Sequence, residues 1–544
     1  MPENHLYYGD NLDVLRRYVK DESVDLIYLD PPFNSRQDYN VLFAEKDGAR
    51  SSSQIKAFED TWEWNQEAER TYEELVEQGG QVADVMRAFR TFLKGSDMMA
   101  YLAMMAPRLI ELRRVLKVTG SIYLHCDPTA SHYLKMLMDA VYWPQFFLNE
   151  IAWRRTHSHG NVSRNFGSVS DILLVYTRTD TYTWNQQYTS FPPDYIEKTF
   201  KYNDADGRRW QSVTLRNPGP RPNLRYSYKA TNGVTYEPHP NGWVCDPARM
   251  RKLDSEGRLH FPRNDQGALR LKMYLDESPG IRLQNIWDDI PAIGSQASER
   301  LGYPTQKPEA LLERILKTSS SEGDVVLDPF CGCGTAVVVA QRLKRRWIGI
   351  DVTHLAINLI KTRLRDAFGE QVTSSYDVIG EPTTFTEAEA LAKEDPYQFQ
   401  WWALSLVGAR PYEQKKGSDR GIDGRLYFHD DRSGRTKQII LSVKAGHVQV
   451  AYVRDLCGVV NREKAEIGVL LCLEKPTKPM LHEAVEAGFY ESTSWGKFPR
   501  IQILTIEELL AGKTIDYPRG AADATFKRAP RAKSASANMP LPLE

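Results

Sequence analysis

The sequence predicts an α/β protein with a doubly wound sheet, an inserted region and a second, smaller α/β domain. Apolar runs alternate with amphipathic segments through residues 1–180, as repeated strand–helix units do. The alternation stops over residues 181–284 and returns over residues 285–368. The length of 544 residues points to more than one domain, because single hydrophobic cores stop growing at ~250–300 residues.

Composition restricts where the protein is expected to work. The 70 Lys and Arg residues nearly balance the 71 Asp and Glu residues, so any surface that binds nucleic acid must be local. The six cysteines are scattered and fit free thiols in a reducing compartment. No apolar run approaches the roughly 18 residues of a membrane span, and the N-terminus lacks a signal-peptide pattern. We therefore expect a cytoplasmic protein without membrane contact.

Short apolar segments predict the strands of residues 1–180. Residues 24–29 predict a buried strand that ends directly before Asp30. Residues 120–125 predict a second strand, which follows a helix ending near Leu116. Residues 172–176 predict a third.

The inserted region, residues 181–284, is richer in Pro, Gly, Asn and Arg. Within residues 201–272, 14 Lys and Arg stand against 7 Asp and Glu, a local excess of +7. Aromatic residues are interleaved with these bases, namely Tyr202, Trp210, Tyr226, Tyr228, Trp243 and Phe261. This combination favours nucleic-acid binding, although an ordinary solvated face can carry the same charges.

A glycine-containing turn marks the second half of the doubly wound domain. A predicted strand runs into residues 328–335, and a helix follows the turn. Gly332 and Gly334 allow positive φ angles and a close approach of the backbone to a ligand. The helix N-terminus offers unpaired N–H groups. The next predicted strand ends at Asp351, where a doubly wound sheet places a ribose-binding carboxylate.

The first predicted strand leads into Asp30, Pro31, Pro32 and Phe33. The two prolines cannot donate to a strand ladder and hold a rigid extended turn. The Asp30 carboxylate and the Pro31 carbonyl are two acceptors for the two N–H bonds of an amino group on a nucleobase. Binding both would localise the nitrogen lone pair for attack on an activated methyl group, and Phe33 offers an aromatic face to an extruded base. Such a transfer depends mainly on positioning two partners.

In these motifs and their order, the chain resembles the beta group of amino-methylating DNA methyltransferases. There a D/N/S-P-P-Y/F catalytic motif precedes a D-P-F-x-G-x-G-T cofactor motif. The resemblance covers residues 5–368 and includes the segments 7–11, 58–62 and 303–308. It implies a Rossmann-like methyltransferase sheet, an inserted target-recognition region, S-adenosylmethionine as cofactor and double-stranded DNA as substrate. The implied catalytic residues are Asp30, Pro31, Pro32 and Phe33. The implied cofactor-binding residues are Asp10, Thr305, Lys307, Asp328, Phe330, Gly332, Gly334, Thr335 and Asp351.

The resemblance also bears on the base that is methylated. Aspartate at position 30 is typical of adenine-N6 enzymes, whereas serine is more frequent in cytosine-N4 enzymes. Cys333 stands where serine is often found, and we expect this exchange of small residues to matter little. We predict a site-specific adenine-N6 methyltransferase of a prokaryotic restriction–modification system, associated with the nucleoid; many relatives form homodimers. Three alternatives stay open: cytosine-N4 methylation, a fusion whose main activity is DNA cleavage, and a DNA-binding protein without activity.

Three segments follow the doubly wound domain. Residues 369–395 are predicted to be a linker, residues 396–517 a second compact domain, and residues 518–544 a disordered basic tail.

The second domain has Asp423 ahead of one strand and Lys444 on the next, which suits metal-assisted cleavage of a phosphodiester. It resembles the Mrr-like branch of the PD-(D/E)xK nucleases, which implies Mg²⁺ binding at Asp423 and a catalytic lysine at Lys444. Ser442 occupies the position of a second acidic residue, and a hydroxyl is a weaker ligand for magnesium. A nuclease and a DNA-binding module without cleavage therefore both stay open.

Overall fold

The computed structural model describes residues 3–32, 64–156, 164, 166–262, 267–294, 297–301, 303, 305–411, 421–430, 436–492 and 494–518. Phe33, the segment 58–62 and residues 519–544 of the predicted tail lie outside the described residues. Within the described part, the chain divides into one compact unit of residues 3–185 and 285–518 and a second of residues 186–284.

The described residues before position 186 alternate between strands and helices. The strands are β1 (Asn4–Tyr8), β2 (Val24–Leu29), β3 (Leu116–Cys126), β4 (Phe147–Arg154) and β5 (Ser170–Thr177). The helices are α1 (Asn11–Tyr18), α2 (Gln66–Gln78), α3 (Gly80–Leu93), α4 (Asp97–Val115) and α5 (Pro128–Tyr142). The three predicted strands are present as β2, β3 and β5. Strand β3 begins at Leu116 rather than Gly120, because the chain becomes extended directly after α4.

The regular secondary structure of residues 186–284 is mainly short antiparallel strands. The strands are β6 (Tyr188–Thr189), β7 (Tyr202–Asn203), β8 (Arg209–Thr214), β9 (Tyr228–Lys229), β10 (Thr235–Tyr236), β11 (Leu259–His260), β12 (Arg270–Tyr274) and β13 (Ile281–Arg282). The helices are α6 (Pro193–Thr199) and α7 (Pro247–Ser255). Strands β11, β12, β8 and β7 form a sheet in that order. Trp243, Met250 and Leu253 belong to a buried apolar cluster within this unit.

The strand–helix alternation returns after residue 285. The strands are β14 (Ile286–Trp287), β15 (Val325–Asp328), β16 (Arg346–Asp351) and β17 (Tyr376–Ile379), and the helices are α8 (Glu309–Ser319), α9 (Thr335–Arg342) and α10 (His354–Phe368).

The C-terminal part is a second α/β arrangement. Its helices are α11 (Phe385–Glu394), α12 (Pro396–Leu406), α13 (Val450–Arg462), α14 (Lys478–Glu486) and α15 (Ile506–Leu510). Its strands are β18 (Arg410–Pro411), β19 (Gly424–Phe428), β20 (Lys437–Lys444), β21 (Ile467–Cys472), β22 (Phe489–Ser492), β23 (Gly496–Pro499) and β24 (Ile501–Thr505).

One large sheet joins the two halves of the doubly wound domain. Within the described residues its order is β14-β4-β5-β3-β2-β15-β16-β1-β17, and β5 runs antiparallel to both its neighbours. Strand β15 lies between β2 and β16, although the region 186–284 separates β15 from β2 in sequence. The predicted mixed α/β fold with a large central sheet is thus confirmed. The main apolar core packs α1, α3, α4 and α5 against this sheet.

The structure differs from the sequence interpretation at residues 369–395, which were expected to be a linker. Strand β17 in this segment extends the central sheet by pairing with β1. Helix α11 begins with a capping box of Thr384 and Glu387 and buries Ala388 and Ala392, one turn apart, in the C-terminal core. The Thr- and Glu-rich composition therefore reflects helix capping as well as exposure.

The C-terminal sheet has the order β18-β19-β20-β21-β24. Alternate residues of β20 enter different apolar clusters: Ile439 and Leu441 join one, and Ile440 joins the other. This period of two is expected for a strand that is covered on both faces. Nowhere in the described chain is a helix long and apolar enough to cross a bilayer.

Candidate active site

Four carboxylates lie at one edge of the central sheet. Neighbouring strands β2, β15, β16 and β1 run parallel. Asp30 directly follows β2, Asp328 and Asp351 end β15 and β16, and Asp10 follows β1. Because the carboxyl ends of parallel strands meet at one edge, catalytic and cofactor motifs that are distant in sequence come together here.

Asp30 is held by a lysine from the second half of the chain. The Lys307 Nζ lies 2.5 Å from Asp30 Oδ2, and the two side chains are only 13% and 16% exposed. Lys307 precedes α8 by two residues. Its ammonium therefore points at the catalytic motif, although the family resemblance suggested a place in the cofactor pocket.

The proline turn after Asp30 is described only in part. Pro31 is buried and Pro32 is exposed. Phe33, the predicted stacking residue, lies outside the described residues.

The glycine turn has the geometry that its sequence predicts. Gly332 and Gly334 have φ angles of +48° and +73°, and Gly334 precedes helix α9. A Cβ on Gly332 would lie 3.3 Å from the Tyr303 ring, and a Cβ on Gly334 would lie 2.7 Å from Ile360 Cγ1. Both positions therefore need glycine, for backbone conformation and for space.

Asp351 organises the same turn. Its Oδ2 accepts a hydrogen bond from Gly332 N (2.9 Å), and its Oδ1 accepts bonds from the backbone N and the hydroxyl of Thr353 (2.9 and 2.8 Å). Burial raises the pKa of Asp351 to about 6, and these hydrogen bonds oppose the shift.

Asp328 lies deeper than the other carboxylates. It is 4% exposed, and its Oδ1 accepts a hydrogen bond from the backbone N of Phe330 (3.2 Å). Burial raises its pKa well above the usual range, and the nearby charges of Asp30 and Asp351 act in the same direction. The buried Asp328 carboxylate therefore holds the backbone at the start of the turn through its hydrogen bond with Phe330 N.

Asp10 caps helix α1, and an arginine joins it to the turn. Asp10 Oδ1 accepts from Leu12 N (2.8 Å), and its Oδ2 accepts from Arg108 Nη2 (2.5 Å). Arg108 Nε also donates to Asn11 Oδ1 (2.6 Å), and Asn11 Nδ2 donates to the Pro329 carbonyl (2.8 Å). Sequence analysis included Asn11 in the segment 7–11 but assigned no role to it or to Arg108, because their contacts lie far along the chain.

Arg363 is a second residue that sequence analysis missed. This side chain of α10 is 2% exposed. Its Nη1 donates to the Cys333 carbonyl (3.0 Å) and to Thr335 Oγ1 (3.1 Å), and its Nη2 donates to Glu309 Oε1 (2.8 Å). Thr335 Oγ1 also donates to the Lys307 carbonyl (3.3 Å). Arg363 thus joins α8, α10 and the glycine turn.

The structure brings most of the predicted residues to one sheet edge, but Asp423 and Lys444 lie elsewhere. Phe330 and Thr305 are half-buried, in the turn and ahead of α8 respectively. Asp423 and Lys444 belong to the C-terminal sheet. There Asp423 Oδ2 accepts from Ser442 Oγ (3.1 Å) and Val443 N (2.7 Å), and the Lys444 ammonium lies 5.1 Å from the centre of the Tyr452 ring. Across the described residues, His, Cys, Asp and Glu side chains form no cluster of three that could hold a metal ion.

A family model for N6 and N4 amino methyltransferases, described as "DNA methylase", matches residues 24–362. The chain belongs to this DNA methylase family. A second model, "NACHT-associated inactive Restriction Endonuclease 1", matches residues 397–511. The predicted methyltransferase class and the predicted restriction-endonuclease-like C-terminal domain are thereby confirmed.

Similar bacterial proteins are restriction–modification enzymes. The type II methyltransferase M.EcaI of Enterobacter cloacae is 26% identical over 383 residues, which cover 69% of this chain and 73% of that protein. The StyLTI Mod subunit, a type III restriction-modification enzyme of Salmonella typhimurium, is 29% identical over 347 residues. That alignment covers 62% of this chain and 49% of the Mod subunit, so the chain spans about half the length of this relative.

The chain also matches solved structures at low sequence identity. The M1.HpyAVI–SAM complex matches with a TM-score of 0.30 and 14% identity, covering 66% of this chain and 98% of the other. The PvuII DNA methyltransferase (cytosine-N4-specific) matches with a TM-score of 0.32 and 12% identity, covering 69% and 93%. At these scores and identities, neither match bears on the substrate of this chain.

Proposed function

We propose that this chain transfers a methyl group from S-adenosylmethionine to the N6 of adenine in duplex DNA, as the modification enzyme of a restriction–modification system. The observation that carries the proposal is the adjacency of β2 and β15. It puts Asp30 and the glycine turn at one sheet edge. Positioning two reactants in this way can supply much of the rate enhancement that the transfer needs.

The residues of the turn fit the proposed cofactor. The positive φ angles of Gly332 and Gly334 give the turn a backbone that can approach a ligand closely. We assign to Asp351, at the end of β16, a hydrogen bond from a ribose hydroxyl, and the N-terminus of α9 adds unpaired N–H groups. The bound cofactor would supply a methyl group already activated on a sulfonium sulfur. The other residues proposed for its pocket are Asp10, Thr305, Lys307, Asp328, Phe330 and Thr335.

Asp30 is proposed to bind the amino group that is methylated. Lys307 engages one carboxylate oxygen, Oδ2, and we assign Oδ1 to an amino hydrogen of the base. The Pro31 carbonyl would accept the second hydrogen, so that the nitrogen lone pair faces the methyl group. Pro32 keeps the turn rigid, and Phe33 is proposed to stack on the base.

The region 186–284 is proposed to recognise DNA, and its arginines fall into two classes. Arg208 pairs with Asp276 and Glu277 and therefore has a structural role. Seven exposed arginines have no carboxylate within ion-pair distance among the described residues: Arg216, Arg221, Arg225, Arg249, Arg251, Arg270 and Arg282. We assign phosphate or base contacts to this second class.

The decisive experiment incubates the protein with S-adenosylmethionine and unmethylated duplex DNA and identifies the methylated nucleosides by mass spectrometry. We expect N6-methyladenine with the wild-type protein and none with Asp30→Ala. Asp84→Ala, at an acid that is 73% exposed on α3, is the matched control and should retain activity. N4-methylcytosine in place of N6-methyladenine would overturn the base assignment. Absence of both would overturn the proposed activity.

For the C-terminal domain we propose a DNA-binding role without cleavage. The hydrogen bonds from Ser442 and Val443 engage the Asp423 carboxylate that would have to hold Mg²⁺, and the matching family model describes an inactive endonuclease. Plasmid DNA incubated with MgCl₂ should stay intact with the wild-type protein and with Lys444→Ala alike. Magnesium-dependent cleavage that disappears in Lys444→Ala would establish a nuclease instead.

A further inference from the structure

A line of buried polar side chains lies on the same face of the sheet as Asp30. Tyr28 of β2 is paired with Tyr123 of β3. His125, two residues after Tyr123, therefore shares the face of Tyr28 and Asp30. The same alternation across β3 and β5 puts Asp171 on this face, because Leu173 is the partner of His125.

These side chains are connected by short polar contacts. The Tyr28 hydroxyl lies 2.9 Å from His125 Nδ1, and His125 Nε2 lies 3.2 Å from Asp171 Oδ2. Arg155 Nε lies 3.2 Å from Asp171 Oδ1. Tyr28, His125 and Asp171 are 2%, 0% and 2% exposed. The rings of His125 and Trp153 also pack nearly perpendicular to each other, with ring centres 5.7 Å apart.

The surrounding charges indicate the protonation state of this line. Burial alone would raise the pKa of Asp171, but the hydrogen bond to His125, followed by the charges of Lys307 and Arg155, lowers it below the ordinary value. An ionised Asp171 accepts the proton of His125 Nε2. In the neutral tautomer that carries its proton on Nε2, His125 offers Nδ1 as an acceptor to the Tyr28 hydroxyl.

The cost of such an arrangement argues for a role beyond packing. Burying a hydroxyl, an imidazole and a carboxylate is unfavourable unless each is paired, and apolar residues would fill the same volume more cheaply. The line ends at Tyr28, two residues before Asp30. Asp171 is also close enough to Lys307, the partner of Asp30, for their charges to interact.

We propose that His125 is a positioning residue for methyl transfer. By accepting the hydrogen bond of Tyr28 it fixes the end of β2, and with it the direction of the Asp30 carboxylate. Asp171 holds His125 in the tautomer that this requires. This inference rests on the proposed function, because it assigns to His125 the orientation of the group that binds the amino nitrogen.

The test compares kcat at saturating DNA and S-adenosylmethionine with the separately measured Kd for the cofactor. A displacement of about 1 Å at a reacting group can lower a rate by about 100-fold, so we expect His125→Ala to lower kcat about 10- to 100-fold. The Kd for S-adenosylmethionine should stay within about twofold of the wild type, since the residues proposed for its pocket lie outside β2, β3 and β5. His132→Ala, at an exposed position of α5, is the matched control and should leave kcat unchanged.

Two conservative variants separate positioning from packing. The Oδ1 of an asparagine can replace Nδ1 of the imidazole, whereas a glutamine reaches the position of Nε2. His125→Asn should therefore retain more activity than His125→Gln. Tyr28→Phe removes only the hydroxyl, and its effect on kcat should not multiply with that of His125→Ala if both act through one hydrogen bond.

The outcomes are distinguishable. The positioning role is wrong if His125→Ala or Tyr28→Phe keeps kcat within about twofold of the wild type, or if their effects multiply. A loss of cofactor affinity as large as the loss of kcat would indicate a structural role and also contradict it. A wild-type protein that incorporates no methyl group into DNA would overturn the proposed function, and this inference with it.

Discussion

Burial gives Asp351 a pKa of about 6, so its charge changes within the pH range of ordinary assays. The proposed cofactor contact needs the ionised carboxylate, because a protonated carboxyl group is a poorer acceptor for a ribose hydroxyl. The raised pKa means that the ionised form is lost as pH falls through 6.

We therefore predict that S-adenosylmethionine binds more weakly at acidic pH. Affinity should be nearly constant above pH 7 and about tenfold lower at pH 5, because a group titrates by a factor of ten for each unit below its pKa. Titration calorimetry between pH 5 and 8 measures this dependence. Asp351→Asn should bind weakly and without this pH dependence. A wild-type Kd that is equal at pH 5 and pH 7 would contradict the role of Asp351.

Glycine positions provide a second prediction at the residue scale. Gly334→Ala would force a positive φ on alanine and press its Cβ against Ile360. We expect a loss of about 1–3 kcal/mol of unfolding free energy, together with weaker cofactor binding. Urea denaturation measures the first effect and calorimetry the second.

Gly458 supplies the control for this substitution. It is an exposed residue inside α13, and a Cβ there meets no described atom within 4 Å. Gly458→Ala should stabilise the protein by about 0.5–1 kcal/mol, since alanine has the higher helix propensity. If both alanine variants shifted stability equally, the turn geometry assigned to Gly334 would be wrong.

At the scale of elements, Arg363 determines how α8, α10 and the glycine turn fit together. Burial would raise the pKa of Glu309, but Arg363 and Arg342 lower it below the ordinary value. Glu309 thus contributes stability that is present above its unfolded pKa and is lost as pH falls through the lower, folded value.

We predict that Arg363→Met is strongly destabilising. The substitution leaves the Cys333 carbonyl and the Thr335 hydroxyl without their buried donor, and breaking a buried ion pair typically costs about 3–5 kcal/mol. Chemical denaturation should show this loss. Arg365→Met, on the same helix and 46% exposed, should change stability by less than about 0.5 kcal/mol. Similar effects of the two substitutions would mean that the Arg363 contacts contribute little.

At the scale of the whole molecule, the near-zero net charge conceals a local excess of +7 basic residues within residues 201–272. DNA affinity should fall steeply with salt concentration, because each neutralised phosphate releases about 0.9 counterion on average. The slope of log affinity against log salt concentration is therefore proportional to the number of phosphates that basic side chains contact.

We predict that replacing Arg216, Arg221 and Arg225 together by glutamine weakens DNA binding and lowers this slope by up to about 3. Fluorescence anisotropy over a range of KCl concentrations measures it. Arg70→Gln, at an 81% exposed arginine on α2, should leave the slope unchanged. An unchanged slope in the triple variant would place the DNA-binding surface elsewhere.

Much of the site was predictable because its motifs are local. The positive φ at Gly332 and Gly334, the helix that follows them and the carboxylate that ends the next strand all depend on residues that are close in sequence. Strand β2 and the position of Asp30 directly after it were likewise evident from one apolar run.

The sequence alone determined the class of fold, the family and the two motifs that meet at one sheet edge. The reason is that backbone preferences and strand periodicity depend only on a few neighbouring residues. Only the tertiary structure decided the side-chain partners of these motifs: Lys307 on Asp30, Arg108 and Asn11 behind the turn, Arg363 beneath it, and the line from Tyr28 to Asp171. It also showed that residues 369–395 are not a linker: β17 extends the central sheet, and α11 packs into the C-terminal core. These contacts join residues from tens to hundreds of positions apart, and they exist only because strand order brings distant segments side by side.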